Sequence, residues 1–345
     1  MKTKLKLLSL ASMLAVSNMS AIEIGPTGSG VEMSGFIDLY YESKDASGSD
    51  TVGVGQVEIM FDYASGPISA SVDIDFYNSG TNTVTYLGAD GLVGGTGVNE
   101  DSTYDVSDND GSLEEAIVTY DFGNGLSVTA GKMLSYLGFE AYDPTNMYQY
   151  SYAYERRGEN NTGAQMIYDA YATGASVDYG NDMFSIGVWT SLANSPDLEY
   201  ALAFTGVENL TVKAIYADYG KDSTASLSTK GKSTYWASYQ IGKLLLAAEV
   251  AEAEGATASD TDLEGMLLMA NYGITDKIGL TLRYSEFEST TGTTKDFDTE
   301  KITISPSYVF NDNFSGLVEY STYDEGVAGT RKPTDFVAVE LIYTF

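Results

Sequence analysis

The chain has 345 residues, with 49 Asp or Glu, 18 Lys or Arg, no Cys and no His, and a formal net charge of −31. The missing residue types exclude disulfides, thiol nucleophiles, His-based triads and the usual zinc and haem ligands. The negative charge argues against nucleic acid as a partner, because phosphate binding requires a basic surface.

The N-terminus has the layout of a secretory signal. Lys2, Lys4 and Lys6 precede an apolar run over 7–16, and small or polar residues continue to Ala21. This order predicts a signal peptide over residues 1–21, which leaves 22–345 as the mature protein, a single domain. The apolar run is too short to cross a bilayer as a helix. We expect residues 22–30 to form a short flexible lead into the first strand.

Strand patterns bounded by turn residues fill the rest of the chain. Sixteen are predicted, and the exact count lies between 14 and 18. They cover 31–43, 54–64, 67–78, 112–122, 125–133, 173–180, 183–192, 198–206, 209–220, 232–241, 243–254, 261–272, 278–288, 299–310, 313–323 and 335–345.

The connectors between these strands alternate in length. Short turns such as Ser65-Gly66 and Asn311-Asp312 alternate with longer segments over 44–53, 79–111, 134–172, 193–197, 221–231, 255–260, 289–298 and 324–334. Outer-membrane barrels have tight periplasmic turns and longer extracellular loops. The alternation therefore favours such a barrel, with both chain termini on the periplasmic side because the strand number is even.

The strands also carry a two-residue hydrophobic period. In the last one, an apolar set alternates with positions that include Glu340, and it consists of Val337, Val339, Leu341, Tyr343 and Phe345. Aromatic residues cluster near segment ends, as interfacial girdles require, at Tyr40, Tyr41, Tyr63, Tyr77, Tyr120, Tyr179, Tyr219, Tyr272, Tyr308, Phe310, Tyr323 and Tyr343. The predicted fold class is all-β, a transmembrane antiparallel β-barrel of about 16 strands. A soluble secreted β-protein is the alternative.

A barrel of this width holds an aqueous channel, and the side chains that line it set its selectivity. The predicted lumen-facing wall is mostly acidic and consists of Asp38, Glu58, Asp62, Asp73, Asp75, Glu115, Asp178, Glu199, Lys213, Glu249, Arg283, Glu319 and Glu340. Lys132 is a further basic candidate. Such a wall attracts cations. The alternative is that several of these carboxylates lie near the rims and serve only solubility.

The connector over 134–172 follows the fifth strand and is therefore the third long loop. It is rich in Tyr and places opposite charges close together. A loop of this length generally has a role. We expect it to fold inward and narrow the pore, with a transverse field from Glu140, Asp143, Glu155, Arg156, Arg157 and Glu159. It could instead be exposed and contact lipopolysaccharide or a neighbouring subunit, or its aromatic rings could stack on a sugar-like solute.

Other chemistry has little support. The segment 99–111 is rich in oxygen donors, and Asp105, Asp108 and Asp110 are a weak structural Ca²⁺ candidate without the spacing of an EF-hand. A solvated acidic loop is the favoured interpretation, so no cofactor is expected. Barrel phospholipases and proteases use His, which this chain lacks. An acid pair could hydrolyse glycosides, but any acidic chain supplies such pairs. We therefore expect no enzymatic activity.

Short motifs add a family resemblance. Gly131-Lys132, followed by Gly138-Phe139-Glu140 and Asp143-Pro144, together with the terminal Phe345, resembles the Gram-negative outer-membrane porin superfamily. The resemblance implies an outer-membrane location, contact with lipid and lipopolysaccharide, a homotrimer, and Phe345 as a signal for the barrel-assembly machinery. General-diffusion porins carry a Pro-Glu-Phe-Gly-like third-loop motif that faces a basic cluster. Here the motif is partial, and the sequence shows no such cluster.

Two functions follow from these patterns. The first is a porin that forms a water-filled, cation-preferring channel for passive diffusion of small hydrophilic solutes. The alternative is a non-conducting outer-membrane barrel with a structural or adhesive role.

Overall fold

The computed structural model describes residues 21–26, 28–44, 50–76, 112–155, 167–192, 196–219, 230–255, 261–327 and 330–345. Within them, one 3₁₀ turn forms at Pro144–Asn146. The strands are β1 (Ile22–Glu23), β2 (Val31–Lys44), β3 (Asp50–Ser65), β4 (Ile68–Asp75), β5 (Ser112–Asp121), β6 (Leu126–Leu134), β7 (Tyr171–Gly180), β8 (Phe184–Ser191), β9 (Leu198–Phe204), β10 (Leu210–Asp218), β11 (Gly231–Ile241), β12 (Leu244–Glu254), β13 (Thr261–Gly273), β14 (Ile278–Thr291), β15 (Thr294–Asn311), β16 (Phe314–Val327) and β17 (Thr330–Thr344).

Strands β2 to β17 form one closed antiparallel sheet. Each pairs with the next along the chain, and β17 returns to pair with β2 from Phe336↔Lys44 to Thr344↔Phe36. The closure satisfies every strand edge, as a sheet in hydrocarbon requires. The predicted fold class is confirmed: the molecule is a 16-stranded barrel with one extra strand.

The extra strand β1 corrects the expectation of an unstructured lead over 22–30. Ile22 pairs with Met33 and Glu23 pairs with Glu32 of β2. Strand β17 ends just before this point, where the backbones of Phe345 and Gly35 exchange two hydrogen bonds of 3.0 Å. The first residues of β2 would otherwise present an open edge there, and β1 covers it.

Two of the predicted long loops are wrong. Residues 289–298 and 324–334 mostly belong to strands, because β14 and β15 are separated by only two residues and β17 resumes at Thr330. Gly292 adopts φ 61°, which permits the tight turn between β14 and β15. These strand extensions are polar and project beyond the length needed to cross a membrane. For that reason they lack the apolar period that marks the membrane-crossing part of each strand.

The outer face of the barrel is apolar. Its exposed aliphatic residues include Ile186, Val188, Leu202, Leu246, Leu268, Leu282, Ile302, Ile304 and Val318. Exposed aromatic residues near one end of the strands are Tyr63, Tyr120, Tyr179, Tyr272, Tyr308, Phe310 and Tyr343. Tyr323 departs from the predicted girdle, because it is 2% exposed and packs inside the barrel against Phe336. Among the described residues, no helix is long and apolar enough to cross a bilayer, a finding that concerns helices only.

The main buried apolar cluster lies inside the barrel. It joins residues of the connector between β6 and β7, such as Leu137, Phe139 and Tyr154, to wall residues such as Trp236 and Leu267. This connector, residues 135–170, is called the third loop below. Its described parts, 135–155 and 167–170, therefore pack against the inner wall and take up part of the lumen.

Candidate functional site

The third loop enters the lumen directly after β6. The backbone N–H of Tyr136 donates to Glu199 of β9 at 2.8 Å, and its hydroxyl donates to Asp178 of β7 at 2.7 Å. The backbone N–H of Gly138 then donates to Thr234 of β11 at 3.1 Å. Successive loop residues thus follow the inner wall from strand to strand.

An arginine on the wall fixes the middle of the loop. Arg283 of β14 forms an ion pair with Glu140, and both side chains are almost fully buried. The other oxygen of Glu140 accepts the backbone N–H of Ala153 at 2.8 Å, while Arg283 donates to the carbonyl of Ser151 at 2.7 Å. Glu319 of β16 accepts the backbone N–H of Ser151 at 2.9 Å. The buried charges are therefore paired and hydrogen-bonded, which burial requires.

A lysine fixes the far end of the described loop. Lys301 of β15 donates to Glu155 at 3.0 Å and to the carbonyl of Tyr152 at 2.9 Å. Its ammonium lies 4.6 Å from the centre of the Tyr323 ring, and the Tyr323 hydroxyl donates to Glu155 at 2.8 Å. Lys301 is 1% exposed. Its charge is thus covered by the loop.

Two tyrosines of the loop bind one wall carboxylate. Tyr154 donates to Glu249 of β12 at 3.2 Å, and Tyr168 donates to the same carboxylate. Burial, followed by the charge of Glu249, raises the pKa of Tyr168 well above its ordinary value. The phenol therefore keeps its proton and remains a donor. Gly265 of β13 leaves space for this packing, because a Cβ there would lie 2.6 Å from the Tyr154 ring.

The opposite wall is acidic. Glu58 and Asp75 pair across β3 and β4, and Asp73 pairs with Glu115 of β5. Glu114 is the extra residue of a β-bulge, since Asp73 faces Glu115 while Ile74 faces Leu113. The acidic wall cluster is defined as Glu58, Asp73, Asp75, Glu114 and Glu115.

One residue of the loop meets this cluster. Asp143, which precedes the 3₁₀ turn, has a carboxylate oxygen within 4.8 Å of oxygens of Glu58 and Glu114. Burial, followed by the charge of Asp75, raises the pKa of Asp143 to about 6. The loop thus places the Asp143 carboxylate among the carboxylates of β3–β5. Its ion pairs, with Arg283 and Lys301, are buried against β14 and β15.

The remaining residues of the predicted wall lie on the inner face of the strands. Those less than 10% exposed are Asp38, Glu58, Asp75, Glu199, Lys213, Glu249, Arg283, Glu319 and Glu340. Asp73, Glu115 and Asp178 are partly buried, and Asp62 is exposed. Lys132 lies in the opposite phase, because it pairs with Ala116 while the next residue, Met133, is buried in the inner cluster. Lys132 was therefore wrongly considered as part of the basic lining.

The predicted constriction residues separate into three groups. Glu140 and Glu155 form buried ion pairs with Arg283 and Lys301 of the wall, whereas Asp143 lies at the acidic wall cluster. Arg156, Arg157 and Glu159 lie outside the described residues. So do Asp105, Asp108 and Asp110, the weak Ca²⁺ candidates, and most of the predicted signal peptide.

Sequence reasoning missed two residues of this site. Lys301 was omitted from the basic lining, although Lys301, Thr303 and Ser305 alternate with Ile302 and Ile304 and so reveal its inward phase. Glu114 carries no such signal. Strict alternation places it on the face opposite to Glu115, and only the bulge brings it toward Glu58.

Comparisons with known proteins agree with this architecture. The family model described as "Putative beta-barrel porin-2, OmpL-like" matches residues 30–345. No curated protein shows significant sequence similarity to the chain.

Solved structures similar to the chain are outer-membrane barrels. The Salmonella typhi OmpF complex with daunomycin has a TM-score of 0.65 at 15% identity and covers 94% of this chain and 100% of that one. A loop L8 deletion mutant of OmpT, an outer membrane protein of Vibrio cholerae, has a TM-score of 0.63 at 15% identity, with 91% and 99% covered. The anion-selective porin from Comamonas acidovorans has a TM-score of 0.58 at 15% identity, with 91% and 99% covered. At these identities the likeness shows the fold.

Proposed function

Because the chain belongs to the OmpL-like beta-barrel porin-2 family, we propose that this outer-membrane porin forms a water-filled channel for passive diffusion of small hydrophilic solutes and prefers cations. A 16-stranded barrel is too wide for its own side chains to fill. The third loop packs along the inner wall from β7 to β17, reaches β2 through Tyr150, and meets the acidic wall cluster of β3–β5 at Asp143.

The asymmetric placement of charge carries the proposed preference. Arg283 and Lys301 are 2% and 1% exposed, and the loop carboxylates Glu140 and Glu155 pair with them. The acidic wall cluster has no salt bridge within the described part of the chain, and Asp143 adds a further carboxylate to it. Asp73, Glu114 and Glu115 are the partly exposed members of the cluster, so the charge that a permeating ion meets beside β3–β5 is negative, which attracts cations and repels anions.

The fold alone does not decide the sign of the selectivity. One solved structure with this fold is an anion-selective porin. The preference must therefore come from the side chains that line the lumen, and the test must change those side chains without changing the barrel.

Reversal potentials across planar bilayers under a KCl gradient test the proposal. The wild-type protein should show a potential of the sign set by K⁺. The double variant Asp73→Asn/Glu115→Gln, which removes a cross-strand pair of the cluster, should roughly halve the cation-to-anion permeability ratio. A matched control is Glu252→Gln/Glu264→Gln, because those residues also pair across two strands but are exposed on the outer face. An anion preference of the wild-type protein would contradict the proposal.

The dense contact between loop and wall favours a second candidate. Several loop side chains, among them Tyr154 and Ile167, are fully buried against the wall. A lumen blocked by the whole loop would make the protein a non-conducting structural or adhesive barrel. Absence of single-channel steps from well-reconstituted protein would support that function and contradict the channel.

The partners expected of a porin complete the proposal. They are outer-membrane lipid and lipopolysaccharide at the apolar outer face, the barrel-assembly machinery through Phe345, and two further copies of the chain in a homotrimer. Light scattering of the detergent complex tests the trimer. We also propose that residues 1–21 are removed as a signal peptide and that the protein catalyses no reaction, which is consistent with a sequence without Cys or His.

A further inference from the structure

The contact between the third loop and the acidic wall cluster has the geometry of a metal site. Glu58 of β3, Glu114 of β5 and Asp143 of the loop each present a carboxylate oxygen, and these three oxygens all lie within 4.8 Å of one another. Glu58 is 2% exposed. Three acidic groups from three separate segments thus converge, with Glu58 buried and Glu114 and Asp143 partly buried.

A second observation concerns unpaired oxygens beside the three carboxylates. Asp75 is 8% exposed, pairs with Glu58 across the strands, and its buried Oδ1 has no hydrogen-bond partner. The charge of Asp75 acts on Asp143, whose own Oδ1 is also buried without a partner. None of these carboxylates forms a salt bridge with a described Lys or Arg. Gln56 donates to Glu58 at 3.0 Å and to Glu114 at 3.5 Å, which leaves the two buried oxygens of Asp75 and Asp143 without a partner. Such oxygens are strongly unfavourable unless a cation or protons neutralise them.

We propose that Glu58, Glu114 and Asp143, with Asp75 beside them, bind one Ca²⁺ ion that joins the third loop to the barrel wall. Calcium takes oxygen ligands at about 2.3–2.6 Å, so ligands on opposite sides of the ion lie about 5 Å apart. The 4.8 Å limit on the three oxygens agrees with that spread. Magnesium requires shorter distances of about 2.0–2.1 Å and near-octahedral geometry, so it should bind more weakly.

The site complements the ion pairs on the other side of the loop. Arg283 and Lys301 neutralise Glu140 and Glu155, but the contact at Asp143 has only like charges from protein. A bound Ca²⁺ ion would turn that repulsion into attraction and hold the 3₁₀ turn at Pro144–Asn146 against β3–β5. This inference concerns binding at the loop and does not require the barrel to conduct.

Calorimetric titration of CaCl₂ into detergent-solubilised, EDTA-treated protein tests the site. The wild-type protein should bind one Ca²⁺ ion per chain, with weaker binding of MgCl₂. Glu58→Gln and Asp143→Asn should each weaken Ca²⁺ binding by about tenfold or more, because ligand charge sets the affinity of such sites. Both substitutions conserve side-chain size, and heat-modifiable migration on gels shows whether each barrel has folded.

The matched control is Asp62→Asn. Asp62 lies on the same strand and the same face as Glu58 but is exposed and is not one of the three converging residues. The substitution Asp62→Asn removes one negative charge, as Asp143→Asn does, and should leave the Ca²⁺ affinity unchanged. The inference is overturned if the folded wild-type protein shows no saturable binding, or if Asp62→Asn weakens binding as much as Asp143→Asn does. Neither result depends on a bilayer measurement, so failure here is separate from failure of the channel.

Discussion

At the scale of single residues, burial decides which charges matter for stability. Arg283 and Glu140 are almost fully buried and depend on each other, whereas the pair Lys243–Asp276 is exposed. A buried pair that loses one member leaves an uncompensated charge, but an exposed pair loses little because water screens it. The two pairs therefore predict opposite results for the same kind of substitution.

Arg283→Met should destabilise the folded barrel by about 3–5 kcal/mol, because Glu140 keeps a buried charge without its partner. The measurement is thermal unfolding in detergent followed by circular dichroism. Lys243→Met should leave the unfolding temperature unchanged. The double variant Arg283→Met/Glu140→Gln should recover much of the loss, since no isolated charge remains. A double variant as unstable as Arg283→Met alone would mean that the arginine acts by packing rather than by charge.

The raised pKa of Asp143 predicts a pH dependence. An acid whose pKa rises from 3.8 to about 6 on folding binds its proton more tightly when folded, so folded-state stability falls as pH rises through that window. Below about pH 6, Asp143 is neutral and the cation preference should decrease. Reversal potentials measured in EDTA from pH 8 to pH 5 check this. Asp143→Asn should show a smaller step than Asp62→Asn, because one carboxyl that titrates in this window is removed while its neighbours in the cluster remain. Equal steps in both variants would assign the step to another group.

At the scale of elements, the two-residue period located every barrel strand, because one face of each strand meets lipid and the other does not. It underestimated the lengths of β14–β17, because the ends of these strands extend beyond the membrane-crossing length and are polar on both faces. It could not place Glu114, whose orientation depends on a bulge. The two-residue period also could not predict the wall partners of the third loop. Glu140 and Arg283 are 143 residues apart, so only the closed barrel brings them together.

Gly265 predicts how the loop depends on the wall. Gly265→Ala places a Cβ within 2.6 Å of the Tyr154 ring, which is tighter than packed atoms tolerate, so the ring and its segment of the loop must move. We expect faster proteolysis within the third loop and a changed single-channel conductance. Gly180→Ala is the control, because the nearest atom to its Cβ is 3.6 Å away. If both variants resist protease as well as the wild-type protein does, the loop is not held by this contact.

At the scale of the whole molecule, the outer face of the barrel is mostly apolar, and the inner face carries the buried charged residues. The apolar outer face is suited to hydrocarbon, and hydrogen bonds and ion pairs to the third loop stabilise the inner face. A stable barrel in a membrane therefore requires closure of the sheet, because an open edge would leave backbone groups unpaired in hydrocarbon. The seam between β2 and β17, where the chain ends, is where that closure is completed.

Phe345 lies at this seam, and we expect its substitution to impair assembly of the barrel rather than the stability of the assembled barrel. Its backbone pairs with Gly35, and its ring stacks with Tyr343 at a centroid distance of 6.3 Å. Phe345→Ala keeps the backbone pairing, so barrels refolded in detergent should unfold at nearly the wild-type temperature. In cells, the fraction of folded protein in the outer membrane should fall if the terminal ring is the assembly signal. Phe310→Ala is the control, because Phe310 is an exposed aromatic residue that stacks with Phe314 and belongs to β15 rather than to the end of the chain. An equal loss of folded protein from both variants would show that aromatic area at the interface matters and that the terminal position does not.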